Sequence, residues 1–220
     1  MADQLIFDLP HRVAQGRDDF LVGSCNTMAI EWLDRWPQWP TPVLVLFGPK
    51  GSGKSHLMHV HMAAAGAIPL GYDDLADGNA IALARMGPLV IDDADRDIPE
   101  DTLFHLLNAI QEEKSTLLLT ASMPAKRWPV QLPDLRSRLL AAAVVEIKPA
   151  SDDILAGMLQ KLFRDRQIAV EEGVVNYILT RMERSFAAVA RIVEKLDAIA
   201  LREKRKISIP LARRIMDEAT

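Results

Sequence analysis

Cysteine, aromatic residues and long apolar runs are all scarce in this chain of 220 residues. The single cysteine, Cys25, excludes an internal disulfide framework and a cysteine-clustered metal site, and its apolar neighbours favour a buried thiol. No run of about 18 apolar residues is present, and the first residues lack the basic and apolar regions of a signal peptide. We therefore expect a cytoplasmic protein without a membrane span.

A large excess of one charge is also missing. The net charge is −4 and 49% of residues are hydrophobic, which predicts a globular chain with a full core. Mild acidity argues against a protein that holds nucleic acid by bulk charge. The basic run 202–206 ends a helical pattern, where cations complement the helix dipole, so we interpret it as a solvated helix end. Contact with DNA should be mainly indirect.

A glycine-rich loop is the strongest motif that the chain does contain. It follows the apolar stretch 43–47 and reads Gly48-Pro49-Lys50-Gly51-Ser52-Gly53-Lys54-Ser55. A strand that breaks into such a loop and then enters a helix aims backbone N–H groups at one point, which suits a di- or triphosphate. Lys54 would reach the β- and γ-phosphates and Ser55 would be a ligand of Mg²⁺. The motif predicts a P-loop that binds ADP or ATP.

Two carboxylates follow another apolar stretch, 89–91. In a P-loop protein Asp92 would hold the Mg²⁺ shell, and Asp93 would orient or deprotonate the attacking water. The alternative is an acidic turn after a strand, since Asp is common there. Many P-loop proteins that hydrolyse ATP carry Glu where Asp93 stands. The shorter side chain of Asp93 would place the attacking water less well, so we expect slow ATP hydrolysis by this chain alone.

Apolar stretches near 43–47, 67–70, 88–91, 116–120 and 144–147 alternate with helical patterns, notably 54–65 and 100–113. This alternation predicts an α/β fold with a parallel sheet covered on both faces. A helix over about 25–36 should precede the sheet and stop at Pro37.

After Pro149 the chain changes to helical stripes, which begin at about residues 154, 174, 186 and 208. The predicted domains are an exposed tail over 1–15, an α/β nucleotide-binding core over 16–149 and a small helical lid over 150–220.

Two further segments point to a family. Thr120 and Ser122 end an apolar strand at the place where AAA+ ATPases put a polar sensor. The segment 132–139 resembles the one that carries the arginine finger in the DnaA branch, and Arg138 matches the finger. With the P-loop and Asp92, these segments look like the AAA+ core of the bacterial initiator DnaA, followed by a lid. For Arg136 and Arg138, the two arginines of this segment, a role in a surface salt bridge is the alternative.

Counterparts to the N-terminal oligomerisation domain and the C-terminal helix-turn-helix domain of DnaA are missing, so the resemblance narrows to the DnaA-related Hda family. Within 1–10, Gln4, Leu5, Phe7 and Leu9 resemble the peptide by which Hda and polymerases bind the sliding clamp, the DNA polymerase III beta subunit. Such a peptide would lay Leu5, Phe7 and Leu9 into an apolar groove. An ordinary first strand is the alternative, since it shows the same alternation.

The resemblance implies a replication inhibitor that docks on the clamp at the replisome and presents Arg138 to ATP held by DnaA, which prevents re-initiation. An autonomous ATPase that loads helicases or remodels DNA is the alternative. A homo-oligomer is compatible with both. One departure is Ala187, where AAA+ lids usually carry a sensor arginine, and Arg184 or Arg191 are the candidate substitutes.

Overall fold

A parallel sheet forms the centre of the computed structural model, which describes residues 22–77, 79–96 and 99–217. Its strands are β1 (Val43–Phe47), β2 (Ile68–Pro69), β3 (Leu89–Ile91), β4 (Leu117–Ala121) and β5 (Ala143–Glu146). Their order across the sheet is β2-β3-β4-β1-β5, and every pairing is parallel. Because all strands run the same way, the segments that follow β1, β3 and β4 meet at one edge of the sheet.

Helices connect the strands and continue beyond them. In chain order they are α1 (Thr27–Asp34), α2 (Lys54–Ala65), α3 (Tyr72–Asp77), α4 (Ala80–Arg85), α5 (Glu100–Glu112), α6 (Pro133–Ala141), α7 (Asp152–Asp165), α8 (Glu172–Leu179), α9 (Phe186–Glu203) and α10 (Ile209–Asp217). A 3₁₀ turn spans Ala125–Arg127. None of the helices in the described ranges is long and apolar enough to cross a membrane.

The sheet is buried on both faces because its strand residues alternate between two clusters. Val45, Leu89 and Leu119 pack with α4, α5 and α6 on one face. Leu44, Leu118 and their neighbours pack with α1 and α2 on the other face. Strands that are covered on both sides read as continuous apolar runs, which is why the sequence displays them so clearly.

Helices α7 to α10 form their own hydrophobic cluster, which includes Leu155, Ile178, Val193 and Leu211. Cys25 also belongs to this cluster as a free, buried thiol, and burial raises its pKa. The predicted parallel α/β fold with a helical lid is confirmed.

Several predicted bounds differ by a few residues. Helix α1 covers 27–34 rather than 25–36, since Asn26 is its N-cap and the chain turns at Arg35. Helix α8 begins at Glu172, two residues before the predicted start of its stripe, and ends at Leu179, where the Thr180 hydroxyl donates to the carbonyl oxygens of Asn176 and Tyr177. Such side-chain bonds to the preceding turn compete with continuation of a helix.

Candidate functional site

The loop 48–55 has the backbone shape that a phosphate cradle needs. Gly51 and Gly53 have φ values of +74° and +95°, a region that L side chains rarely adopt. A Cβ on Gly48 would lie 2.4 Å from the carbonyl oxygen of Ile147. The Ser52 hydroxyl is buried, and its oxygen has no hydrogen-bond partner among the described residues. The loop therefore requires its glycines, and the Ser52 hydroxyl is available to bond a ligand. Both features fit a P-loop.

Lys54 begins α2 and turns back over this loop. Its Nζ donates to the carbonyl oxygens of Gly48 at 2.9 Å and Pro49 at 3.0 Å. Burial lowers the pKa of Lys54, while the nearby carboxylates of Asp93, Asp92 and Asp95 oppose that shift. The ammonium group is thus held at the loop by weak neutral acceptors, and phosphate oxygens would be stronger ones.

Asp92 joins three elements at the carboxyl edge of the sheet. Ser55 at the start of α2 donates to Asp92 Oδ2 at 2.9 Å, and the Thr120 hydroxyl at the end of β4 donates to Asp92 Oδ1. A hydroxyl beside a carboxylate fits Mg²⁺, which takes oxygen ligands and usually one or two carboxylates plus substrate phosphates. In the part of the chain that is described, no cluster of three or more His, Cys, Asp or Glu could hold a metal by itself. A metal here would depend on the phosphates.

Asp93 stands beside this centre in a constrained conformation. Its φ is +50°, and its N–H donates to Thr120 Oγ1 at 3.0 Å. Its carboxylate is exposed and lies 3.6 Å from Arg96. A positive φ is uncommon for a residue other than glycine, and such conformations cluster at functional sites.

Ser122 pairs with Asp95, a residue that the sequence motifs do not identify. Both the N–H and the hydroxyl of Ser122 donate to Asp95 Oδ2, the N–H at 2.9 Å. Asp95 Oδ1 is buried without a hydrogen-bond partner among the described residues. The only sequence signal for Asp95 is its place in the acidic run after β3.

The lid touches the P-loop directly. The N–H of Phe186, the first residue of α9, donates to the carbonyl oxygen of Gly51 at 2.9 Å. Ser185 caps α9 by accepting from the Ala188 N–H at 3.1 Å, and a Cβ on Gly51 would lie 2.5 Å from Ser185 Cβ. Ala187 is exposed, and its Cβ lies 3.6 Å from the position that a Cβ on Gly51 would take. The start of α9 is therefore fixed against the loop that would face the phosphates.

Arg138 lies near the amino ends of the strands, whereas the P-loop lies at their carboxyl ends. It is exposed on α6, donates to Gln111 Oε1 at 3.0 Å, and lines an open groove of about 670 Å³ with Pro42 and Val43. Val43 starts β1, whereas the P-loop follows the end of β1, so Arg138 is separated from its own P-loop by the length of a strand.

The position of α6 is fixed at its start. The carboxylate of Glu100 accepts from the N–H groups of Gln131 and Leu132, which lowers the pKa of Glu100. Pro133 then occupies the first helical position, where its missing N–H costs no bond.

The structure thus brings Lys54, Ser55, Asp92 and Thr120 together and places Ser122 next to them on Asp95. It places Arg138 away from them. The predicted clamp-binding residues Gln4, Leu5, Phe7 and Leu9 lie outside the described residues.

Comparison with known families and structures agrees with this geometry. Residues 152–216 match the family described as the lid domain of Hda. Domain III of the replication initiation protein DnaA from Thermotoga maritima is similar with a TM-score of 0.79 at 16% identity, over 96% of this chain and 98% of that one.

Larger proteins of known structure share the fold over part of their length. AMPPCP-bound DnaA from Aquifex aeolicus has a TM-score of 0.70 at 17% identity, over 82% of this chain and 63% of that one. The RuvB Holliday junction branch migration motor of Thermotoga maritima has a TM-score of 0.69 at 16% identity, over 92% of this chain and 71% of that one. The chain therefore has the fold of DnaA domain III, and its residues 152–216 match the Hda lid family, in agreement with the predicted resemblance to Hda and DnaA.

Proposed function

We propose that this chain is a regulator of replication initiation that binds an adenine nucleotide in its own P-loop and acts on ATP held by DnaA. The observation that carries the proposal is the position of Arg138, which is exposed at the edge of the sheet opposite its own P-loop. An arginine at that distance from its own P-loop supports a role on a nucleotide held by a neighbouring molecule. The Hda-type lid supports the same assignment.

Adenine nucleotide is proposed because a DnaA of the same fold binds AMPPCP and because the loop 48–55 fits phosphates. Lys54 would bind the β- and γ-phosphates. Ser55 and Asp92 would hold Mg²⁺, whose charge would offset that of the phosphates. The proposed ligand is ADP or ATP.

The proposed chemistry takes place on the partner. A guanidinium that reaches a transferring phosphoryl group stabilises the charge that builds on its oxygens. Gln111 and the groove hold Arg138 at the surface, and Glu100 fixes the helix that carries it. Turnover in the chain's own site is expected to be slow, since Asp93 has a shorter arm than Glu and lies beside Arg96.

Docking on the sliding clamp is the second part of the proposal. Gln4, Leu5, Phe7 and Leu9 would bind the clamp as an extended peptide, with their apolar side chains in a groove. A clamp on DNA would then bring Arg138 to DnaA only after replication has started, which would prevent re-initiation. DNA contact through the clamp is indirect.

Replacing Arg138 by Ala tests the first part. DnaA hydrolysis in the presence of DNA-loaded clamp should fall at least about 100-fold, because an arginine finger supplies about 10³- to 10⁵-fold. Nucleotide affinity and clamp affinity should stay within about twofold of the unchanged chain, since Arg138 lies away from the P-loop. Arg127→Ala, an exposed arginine of the 3₁₀ turn, is the matched control and should retain full stimulation.

Full stimulation by Arg138→Ala would refute the trans role. Rapid DNA-stimulated ATP turnover without DnaA would favour the autonomous ATPase instead.

Clamp docking is tested by titrating the chain with clamp in the presence of a peptide spanning residues 3–10. The Gln4→Ala/Leu5→Ala variant should lose clamp binding while its nucleotide affinity is unchanged. A peptide of scrambled order is the control. Clamp binding that survives both the double substitution and the peptide would rule out this segment as the docking site.

A further inference from the structure

Charge is divided unevenly along the chain. Residues 152–220 contain 13 Lys and Arg against 11 Asp and Glu, whereas residues 1–151 contain 13 against 19. The net charge of −4 therefore combines a basic lid with an acidic remainder. A partner responds to the charge of the surface that it meets, because the field depends on how charges are distributed.

Two arginines of the lid are held on one tyrosine ring. The guanidinium carbon of Arg181, just after α8, lies 4.1 Å from the ring centroid of Tyr177. Arg213 on α10 lies 5.9 Å from the same centroid, and its Nε donates to the Tyr177 hydroxyl at 3.4 Å. Cation–π contacts and this hydrogen bond order both exposed side chains before any partner binds, which lowers the entropy cost of binding.

The positive surface continues from α10 to the end of α9. Arg214, next to Arg213, donates to Glu203 at 2.6 Å, and Arg205 donates to the other oxygen of Glu203 at 3.3 Å. One carboxylate thus lies between two arginines. Arg181, Arg205, Arg213 and Arg214 together carry an excess of positive charge, and we call this surface the lid face.

We propose that the lid face binds the phosphodiester backbone of duplex DNA without reading its sequence. All four cations are arginines, whose planar forks match phosphate oxygens in pairs and keep their charge at every accessible pH. Arg213 and Arg214 lie on α10, while Arg181 and Arg205 lie just after α8 and α9 and contact Tyr177 and Glu203. A chain of regularly spaced phosphates releases counterions for each cation that it meets. An acidic protein surface lacks that regular spacing.

The basic run 202–206, interpreted from sequence as a solvated helix end, contributes Arg205 to this face. Sequence could not show that α10 brings Arg213 and Arg214 beside it. The acidic remainder of the chain would turn the lid toward DNA. Neither clamp docking nor Arg138 is required, so this proposal is independent of the proposed function.

The test is fluorescence anisotropy of a labelled duplex of about 30 base pairs, titrated with the full chain at several salt concentrations. Four phosphate contacts predict that log K falls with log[salt] with a slope of about −3.6. The Arg181→Glu/Arg213→Glu variant should bind at least about tenfold more weakly, with a slope smaller by about 2. Lys126→Glu/Arg127→Glu changes the charge equally on the 3₁₀ turn and should bind within about twofold of the unchanged chain.

Arg181→Gln/Arg213→Gln removes the charges without reversing them and should weaken binding to an intermediate degree. Unchanged nucleotide affinity in each variant shows that it is folded. Absence of duplex binding at about 25 mM salt, or equal weakening by both Glu pairs, would overturn the proposal. Displacement by poly-glutamate as effective as by unlabelled duplex would overturn the assignment to DNA in favour of an acidic protein surface.

Discussion

Ala187 leaves the lid without a cation at the point where it meets the P-loop. It is exposed in the first turn of α9, next to the Phe186 N–H that donates to Gly51. The two candidate substitutes are held by carboxylates of the lid, Arg184 by Asp152 at 3.1 Å and Arg191 by Glu183 at 3.6 Å. In this arrangement neither arginine is directed by a contact to the loop 48–55.

Restoring an arginine by Ala187→Arg should tighten nucleotide binding. A hydrogen bond to a charged group is worth about 1.5–3 kcal/mol, so ATP affinity should rise about tenfold or more. The gain should be larger for ATP than for ADP, because the γ-phosphate adds charge at the far end of the nucleotide. Titration with a fluorescent nucleotide measures both affinities. Ala187→Gln is the neutral control, and an equal gain from Gln would show that charge is not the cause.

At the level of single residues, motif positions could be predicted and pairings could not. Lys54 and Ser55 follow from a loop whose spacing is fixed by phosphate geometry, and Asp92 follows from its place at the end of an apolar stretch. The bond from Ser122 to Asp95 joins two residues that are 27 positions apart in the sequence, and each lies beyond the end of a different strand. It depends on the register of β3 against β4, which no local pattern encodes.

A histidine on α2 is packed between two tryptophans of the segment that joins α1 to β1. His61 on α2 is buried, its ring stacks on Trp39 with centroids 5.3 Å apart, and Trp36 meets it edge-on at 5.9 Å. Burial lowers the pKa of His61 to about 4. The packing of α2 against Trp36 and Trp39 thus favours a neutral imidazole.

Acid should therefore destabilise the fold through His61. Above pH 6.5 the imidazole is neutral in both states, and between about 6.5 and 4 only the unfolded chain takes up the proton. A tenfold change in proton affinity is worth about 1.4 kcal/mol, so the free energy of unfolding should fall by up to about 3 kcal/mol across this window. Denaturant unfolding at several pH values measures the loss.

His61→Leu should flatten the pH dependence between 6.5 and 4, although its altered packing changes the absolute stability. His105→Gln, an exposed histidine on α5, should leave the dependence unchanged. An equal acid dependence in the His61→Leu variant would show that another group is responsible.

Element boundaries followed the sequence where apolar patterns were long. The strands and α2, α5, α7 and α9 lie close to their predicted ranges because each has a buried face of several residues. The six-residue helices α3 and α4 were not predicted, since they are too short to show a helical period. The strand order across the sheet depends on crossovers that the sequence alone did not specify.

Nucleotide binding should stabilise the whole molecule. A ligand that binds only the folded chain adds about 2.7 kcal/mol at 100 times its Kd. For a chain of this size the Tm should rise by about 5–10 °C with saturating ADP or ATP and Mg²⁺. Thermal unfolding with and without nucleotide measures the shift.

Lys54→Ala should abolish this shift because it removes the buried ammonium group from the loop. Lys50→Ala changes an exposed lysine of the same loop and should retain most of it. A full shift in Lys54→Ala would place the nucleotide elsewhere.

The contact between Gly51 and Ser185 also has an evolutionary consequence. A side chain at position 51 would collide with Ser185, so a change at 51 requires α9 to withdraw or position 185 to change with it. The residues are far apart in sequence, yet selection on one constrains the other. Lineages that retain the start of α9 against the loop should show joint substitution or joint invariance at positions 51 and 185, whereas lineages that lose one should be free to lose both.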